Sequence, residues 1–109
     1  MDKIFINQHG ILKKTNYSDI YFITRDKSKT YIILKDTKIE AFVTLNYLSE
    51  VLEGKFLRTH KSFIINIDKI FTIEKKNANI YIAKFLDFDE VALITRNNMK
   101  IISERYVMV

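Results

Sequence analysis

The stretch Phe56-Leu57-Arg58-Thr59-His60-Lys61-Ser62-Phe63-Ile64-Ile65-Asn66-Ile67-Asp68-Lys69-Ile70 sets a basic cluster directly against an apolar, β-branched run that closes on asparagine. Branching at Cβ suits a pleated surface better than a helix. Outward from this stretch, short bursts alternate apolar with polar residues: Lys3 to Asn7, Asp19 to Thr24, Thr30 to Leu34, Ile39 to Val43, Lys69 to Ile73, Asn79 to Ala83 and Glu90 to Ile94. A period of two turns successive side chains to opposite faces, so these bursts read as strands.

Between them lie turn-forming clusters, Asn7-Gln8-His9-Gly10, Lys35-Asp36-Thr37, Lys75-Lys76-Asn77-Ala78 and Asp87-Phe88-Asp89. Connections so short join antiparallel neighbours. One segment breaks the pattern. Leu45, Leu48, Val51 and Leu52 recur at helical spacing between Thr44, a candidate N-cap, and Gly54, placed for a left-handed C-terminal cap, which predicts roughly two to three turns of helix. The stretch Arg96 to Tyr106 fits two readings, a short helix capped by Thr95 or a strand ending at Lys100 to Ile102. The expected fold is mainly β, an elongated arrangement of small antiparallel sheets with one or two short helices, over a single domain spanning 1–109.

Composition bounds the function. The 109 residues are 48% hydrophobic and 13% aromatic, enough to close one core and too short for a second. With no cysteine, disulfides and thiolate zinc frameworks are excluded, and a cytoplasmic location is the expectation. The N-terminal Met1 to Asn7 has no basic segment leading into an apolar run, and no long apolar stretch occurs elsewhere, so no membrane association is expected. A net charge of +5 favours polyanionic partners through counterion release.

Taken together, Phe56, Arg58, the triplet His60-Lys61-Ser62 and the run Phe63 to Asn66 with Ile67 beyond it resemble the signature of the LytTR family of bacterial DNA-binding domains. Ser18 to Ile23 is similar to that family's early strand, and Thr95-Arg96-Asn97 to its basic element near the C-terminus. The resemblance implies that loops, not a recognition helix, approach the major groove from three places: Lys27-Ser28-Lys29, His60-Lys61 and Arg96-Asn97. The first loop departs from the family habit of a polar or histidine side chain, because Arg25-Asp26-Lys27-Ser28-Lys29 holds an acid.

Chemistry sorts these residues. The planar fork of Arg96 matches guanine O6 and N7, and Asn97 offers the corresponding pair to adenine. Lys27, Lys29, Lys61 and Lys100 carry ammonium groups suited to phosphate oxygens, which fix position without reading sequence. The resemblance further implies double-stranded promoter DNA with direct repeats as the partner, two copies as a homodimer on a bent duplex, and in longer relatives a phosphorylated receiver domain that this length cannot hold.

Plainer readings stand beside these. His60 serves equally well as a structural ring bonded to nearby backbone. Asn66 ending an apolar strand turns the chain. His9, without a second ligand at a suitable spacing, is solvated and holds no metal. Tyr17, Tyr21, Phe22, Tyr31, Phe42, Phe63, Phe71 and Tyr81 fall mostly on apolar strand parity and read as core, not as a stacking platform. Lys13-Lys14 and Lys75-Lys76 read as solubilising surface. Asp87, Asp89 and Glu90 cluster without a basic or histidine partner, so neither an enzyme nor a cofactor is expected. The rival function is a β module that binds a protein through a strand edge.

Overall fold

The computed structural model describes residues 2–109. Its elements run β1 (Lys3–Gln8), β2 (Ile11–Asn16), a 3-10 turn (Tyr17–Asp19), β3 (Ile20–Asp26), β4 (Lys29–Leu34), β5 (Lys38–Ala41) and α1 (Leu45–Val51). There follow β6 (Phe56–His60), β7 (Phe63–Asn66), a second 3-10 turn (Ile67–Lys69), β8 (Ile70–Lys75), β9 (Ile80–Phe85), β10 (Phe88–Thr95) and α2 (Arg96–Arg105). The strands form three antiparallel sheets: β1-β2, β5-β4-β3-β7-β6 and β10-β9-β8. The molecule is elongated, 46 × 27 × 27 Å.

The five-stranded sheet is buried on both faces, so β3, β4 and β7 carry apolar residues at both parities and depart from the strict alternation expected of them. On one face Ile23, Ile32, Ile39 and Ile64 pack with Leu45, Leu48 and Leu52 of the α1 segment and with Ile6 of β1. On the other, Phe22, Ile33 and Ile65 meet Ala83, Phe85, Ala92 and Ile94 of the three-stranded sheet and Ile102 of α2. Neighbours in sequence therefore enter different cores. A register shift between Ile20 and Phe22 lets Tyr21 and Phe22 enter the same core. There Tyr21 stacks on Phe88 at 4.4 Å between centroids, and Phe22 on Phe85 at 5.6 Å.

The expected mainly β fold holds, with one open reading decided and three differences in detail. The segment 96–105 is helix, capped by the Thr95 hydroxyl, which accepts from the Asn98 N–H. The strand expected over Ile39 to Val43 ends at Ala41, where the chain bends toward α1; Phe42 is 67% exposed there. Phe71 is also exposed, because a register shift between Ile70 and Thr72 leaves it without a partner across the ladder. These two rings are thus surface, not core. Finally, α1 starts after Thr44 as expected but ends at Val51, with Leu52 as its C-cap; Gly54, at φ +72°, turns the chain into β6 instead.

Candidate nucleic-acid interface

Antiparallel pairing decides which loops meet. Thr24 of β3 lies opposite Phe63 of β7, so the β3–β4 turn and the β6–β7 turn share one end of the five-stranded sheet. Ser62 fastens them together: its carbonyl accepts from the Arg25 N–H at 3.0 Å and from the Thr24 hydroxyl at 2.9 Å.

The β3–β4 connection is two residues long, since Asp26 pairs with Lys29. Lys27 and Ser28 both adopt positive φ, 50° and 70°, the requirement of the type I′ hairpin turn that asparagine and glycine meet best. Two L side chains held there carry local strain. The side chains of Lys27, Ser28 and Lys29 are exposed.

The β6–β7 turn is shaped by Arg58. Its guanidinium donates to the His60 carbonyl at 2.9 Å, the Lys61 carbonyl at 2.6 Å and Asn46 Oδ1 at 3.1 Å. A planar fork so engaged acts as a clamp on the turn and links it to the start of α1. The His60 ring is committed too. Its Nδ1 accepts from the Ser62 N–H at 3.0 Å, which needs the neutral ring with its proton on Nε2. Burial, and then the charges of Lys61 and Arg58, hold His60 below its ordinary value of 6.5. Both readings of His60 are therefore compatible: one nitrogen is structural and the other is a donor.

The third element joins through a bulge. Arg58 pairs with Ile64 and His60 with Phe63, leaving Thr59 without a partner across the ladder. Its buried hydroxyl donates to the Leu93 carbonyl of β10, and its own carbonyl accepts from Asn98 Nδ2 at 3.1 Å. Arg96 N–H donates to the Asn79 carbonyl at 3.0 Å. The first turn of α2, bearing exposed Arg96 and Asn97, is thus tied beside the His60-Lys61 turn, with exposed Lys100 one turn further along. One of the three elements expected as loops is the beginning of a helix.

A cleft of about 240 Å³ between the turns and the chain entering α1 has Arg25, Arg58 and Lys61 among its lining residues, beside Ser28 and the uncharged Thr44 and Asn46. Among the described residues the ion pairs are Lys55–Asp68 and Lys84–Glu74, so none of Lys27, Lys29, Lys61, Arg96 and Lys100 is ion-paired, although Asp26 lies across the ladder from Lys29. Asn66 stands elsewhere. It is buried, donating to the Tyr17 and Ile20 carbonyls and accepting from the Asp68 N–H. His9 is exposed in the β1–β2 turn, and no group of metal-ligating side chains occurs among the described residues. Sequence reasoning gave no site role to Arg25, Arg58, Thr59 or Asn98. Arg58 was visible in the signature, whereas nothing in the sequence announces Thr59 or Asn98.

Comparison with known proteins gives a consistent result. The family model for the LytTr DNA-binding domain matches residues 11–106. The transcriptional regulatory protein NatR of Bacillus subtilis (strain 168) is 28% identical over 105 residues, 95% of this chain and 45% of that protein. The transcriptional regulatory protein YpdB of Escherichia coli (strain K12) is 29% identical over 90 residues, 79% of this chain and 36% of that protein. The chain spans less than half the length of these curated relatives. A LytTr DNA-binding domain of a response regulator from Bacillus cereus superposes with a TM-score of 0.79 over 95% of both chains, at 15% identity.

Proposed function

The chain belongs to the LytTr DNA-binding domain family, and from that premise we propose that it binds double-stranded DNA sequence-specifically, as the DNA-binding part of a transcription regulator. The observation that carries the reading is the gathering of three exposed basic elements, whose cations form no ion pairs, at one end of a doubly buried sheet. A rigid scaffold keeps the ordering cost of binding small.

Within that reading the roles divide by chemistry. Arg96 and Asn97, at the exposed start of α2, read base edges in the major groove. The Nε2–H of His60, its Nδ1 being taken by the Ser62 N–H, is a further donor, to a base or a phosphate. Lys27, Lys29, Lys61 and Lys100 hold phosphates, Ser28 supports the first turn, and the Arg25–Lys61 cleft takes the backbone between two of the elements. Two copies on direct repeats, with bending of the duplex, complete the proposal; each copy adds its own phosphate contacts, and tethering or mutual contact raises affinity.

Selection of the purified chain on random duplex fragments, followed by sequencing and repeated at low and moderate salt, tests it. Enrichment of a repeated motif is the expected result. No enrichment together with salt-insensitive behaviour would replace it with the protein-binding reading.

A further inference from the structure

The start of α2, assigned to base contact, and the His60-Lys61 turn, assigned to a base or phosphate through His60 and to phosphate through Lys61, lie more than thirty residues apart in sequence. Aiming Arg96 and Asn97 at base edges while the turn holds its own contact requires that the distance between them be fixed, since a misplacement of about 1 Å is enough to lose a directional contact. The Thr59 hydroxyl on the Leu93 carbonyl and the Arg96 N–H on the Asn79 carbonyl hold the strand leading into α2, but not the side-chain-bearing first turn itself. Helix ends fray, and the hydroxyl cap at Thr95 is long, with the Asn98 N–H 3.4 Å from its oxygen.

Asn98 supplies the missing constraint. Its Nδ2 carries two hydrogens and uses both, one on Thr95 Oγ1 at 2.8 Å within α2 and one on the Thr59 carbonyl at 3.1 Å in β6. The second bond is available only because Thr59 sits at a register shift, where its carbonyl is free of the strand ladder and its side chain turns in to Leu93. Thr59 immediately precedes His60. One amide therefore spans the gap between the reader helix and the His60-Lys61 turn.

We infer that Asn98 is a positioning residue for sequence selectivity: it does not read DNA itself but sets the spacing between Arg96-Asn97 and His60-Lys61 through the Thr59 carbonyl. The inference rests on the base-reading roles proposed above. Its consequence is a split between selectivity and general affinity. The phosphate-directed lysines stay on the surface whether or not the bridge forms, so binding to arbitrary duplex and its salt response are kept while preference for the selected site falls.

The test compares Asn98→Leu, which keeps the size and removes the donor without adding charge, with Ile39→Val, which removes a methyl from the opposite core as a control for lost stability. Affinities for the selected site and for a scrambled duplex are measured for the wild-type chain and both variants, at a temperature where circular dichroism shows all three folded. The expected result is that Asn98→Leu lowers the ratio of the two affinities by about tenfold, the scale of one lost base contact, with scrambled-duplex binding unchanged. Ile39→Val keeps the ratio. An unaltered ratio in Asn98→Leu overturns the inference alone. A wild-type chain with no preference to lose overturns the base-reading proposal on which it rests. Equal loss for both duplexes, or the same fall in Ile39→Val, assigns Asn98 to stability and overturns the positioning role.

Discussion

At the scale of single residues, the interface separates side chains with free polar groups from side chains already committed. Arg96 and Lys61 have no carboxylate partner, and their exposed heads differ in kind, a bidentate fork against a point charge. Arg96→Ala is therefore expected to cost about 1–3 kcal/mol at the preferred site and to relax selectivity there. Lys61→Ala should weaken all sequences alike and make the salt slope shallower by about one. Fluorescence titrations on selected and scrambled duplexes distinguish the two, and an Arg96→Ala chain of undiminished selectivity would remove Arg96 from the readers. His60 gives a second prediction. Its Nδ1 accepts from the Ser62 N–H, so protonation there replaces an acceptor with a donor facing a donor. Folding lowers its pKa from 6.5, so the stability of the neutral ring is present in full above pH 6.5 and is lost as pH falls through the folded value. An NMR titration should give a His60 midpoint below 6.5, with the Ser62 amide moving in the same step; a midpoint above 6.5 would mean that the turn does not hold the ring neutral. The proposed readers were named from the sequence because the family resemblance marks their place and residue type advertises guanidinium and amide chemistry. Thr59 and Asn98 were not, because their roles arise from a bulge and from a contact 39 residues apart.

At the scale of elements, alternation revealed strands wherever one parity is buried and failed where that condition fails. In β2, Ile11, Leu12, Lys13 and Lys14 are all exposed and only Thr15 is buried, so there is no inward parity to read. In β6 the register shift at Thr59 interrupts the period among basic residues, so that strand was concealed inside the signature. Helix α2 was ambiguous because Ile102 is its one buried residue, too little to declare a 3.6-residue period. Turn chemistry carried more. His9-Gly10 places a glycine at φ +84°, as a tight hairpin prefers, whereas Lys27-Ser28 takes the same class of turn with neither asparagine nor glycine. That mismatch invites a test. Replacing the pair by Lys27→Asn with Ser28→Gly should stabilise the fold by about 1 kcal/mol, through relief of positive-φ strain. The same double substitution removes a proposed phosphate contact and should make the salt slope of DNA binding shallower by about one. Thermal melting and salt-dependent titration read the two effects separately. A higher melting temperature with an unchanged slope would confine Lys27 to the fold.

At the scale of the whole molecule, the arrangement is three layers: the α1 segment with the β1-β2 hairpin, then the five-stranded sheet, then the three-stranded sheet with α2. The middle layer has no wet face, so the turns at its end are extensions of a body packed from both sides, and their separation is set by strand register. Such a body can carry charge at its end without deforming, and the net charge of +5 matters through where it is placed. If Lys27, Lys29, Lys61 and Lys100 each neutralise one phosphate, the logarithm of the affinity for one binding site should fall with the logarithm of salt concentration at a slope of about −3.5. A general attraction of a basic protein for a polyanion gives a salt dependence as well, so the slope must be dissected. Lys13 and Lys14 lie on β2, in a different sheet from the proposed interface. Changing both to glutamine should leave the slope nearly unchanged, whereas changing Lys27 and Lys61 should reduce it by about two. Equal effects from the two pairs would mean that net charge, not the geometry of the sheet end, drives association. A flat dependence in the unmodified chain would point to strand-edge pairing, which exchanges backbone hydrogen bonds and releases no counterions.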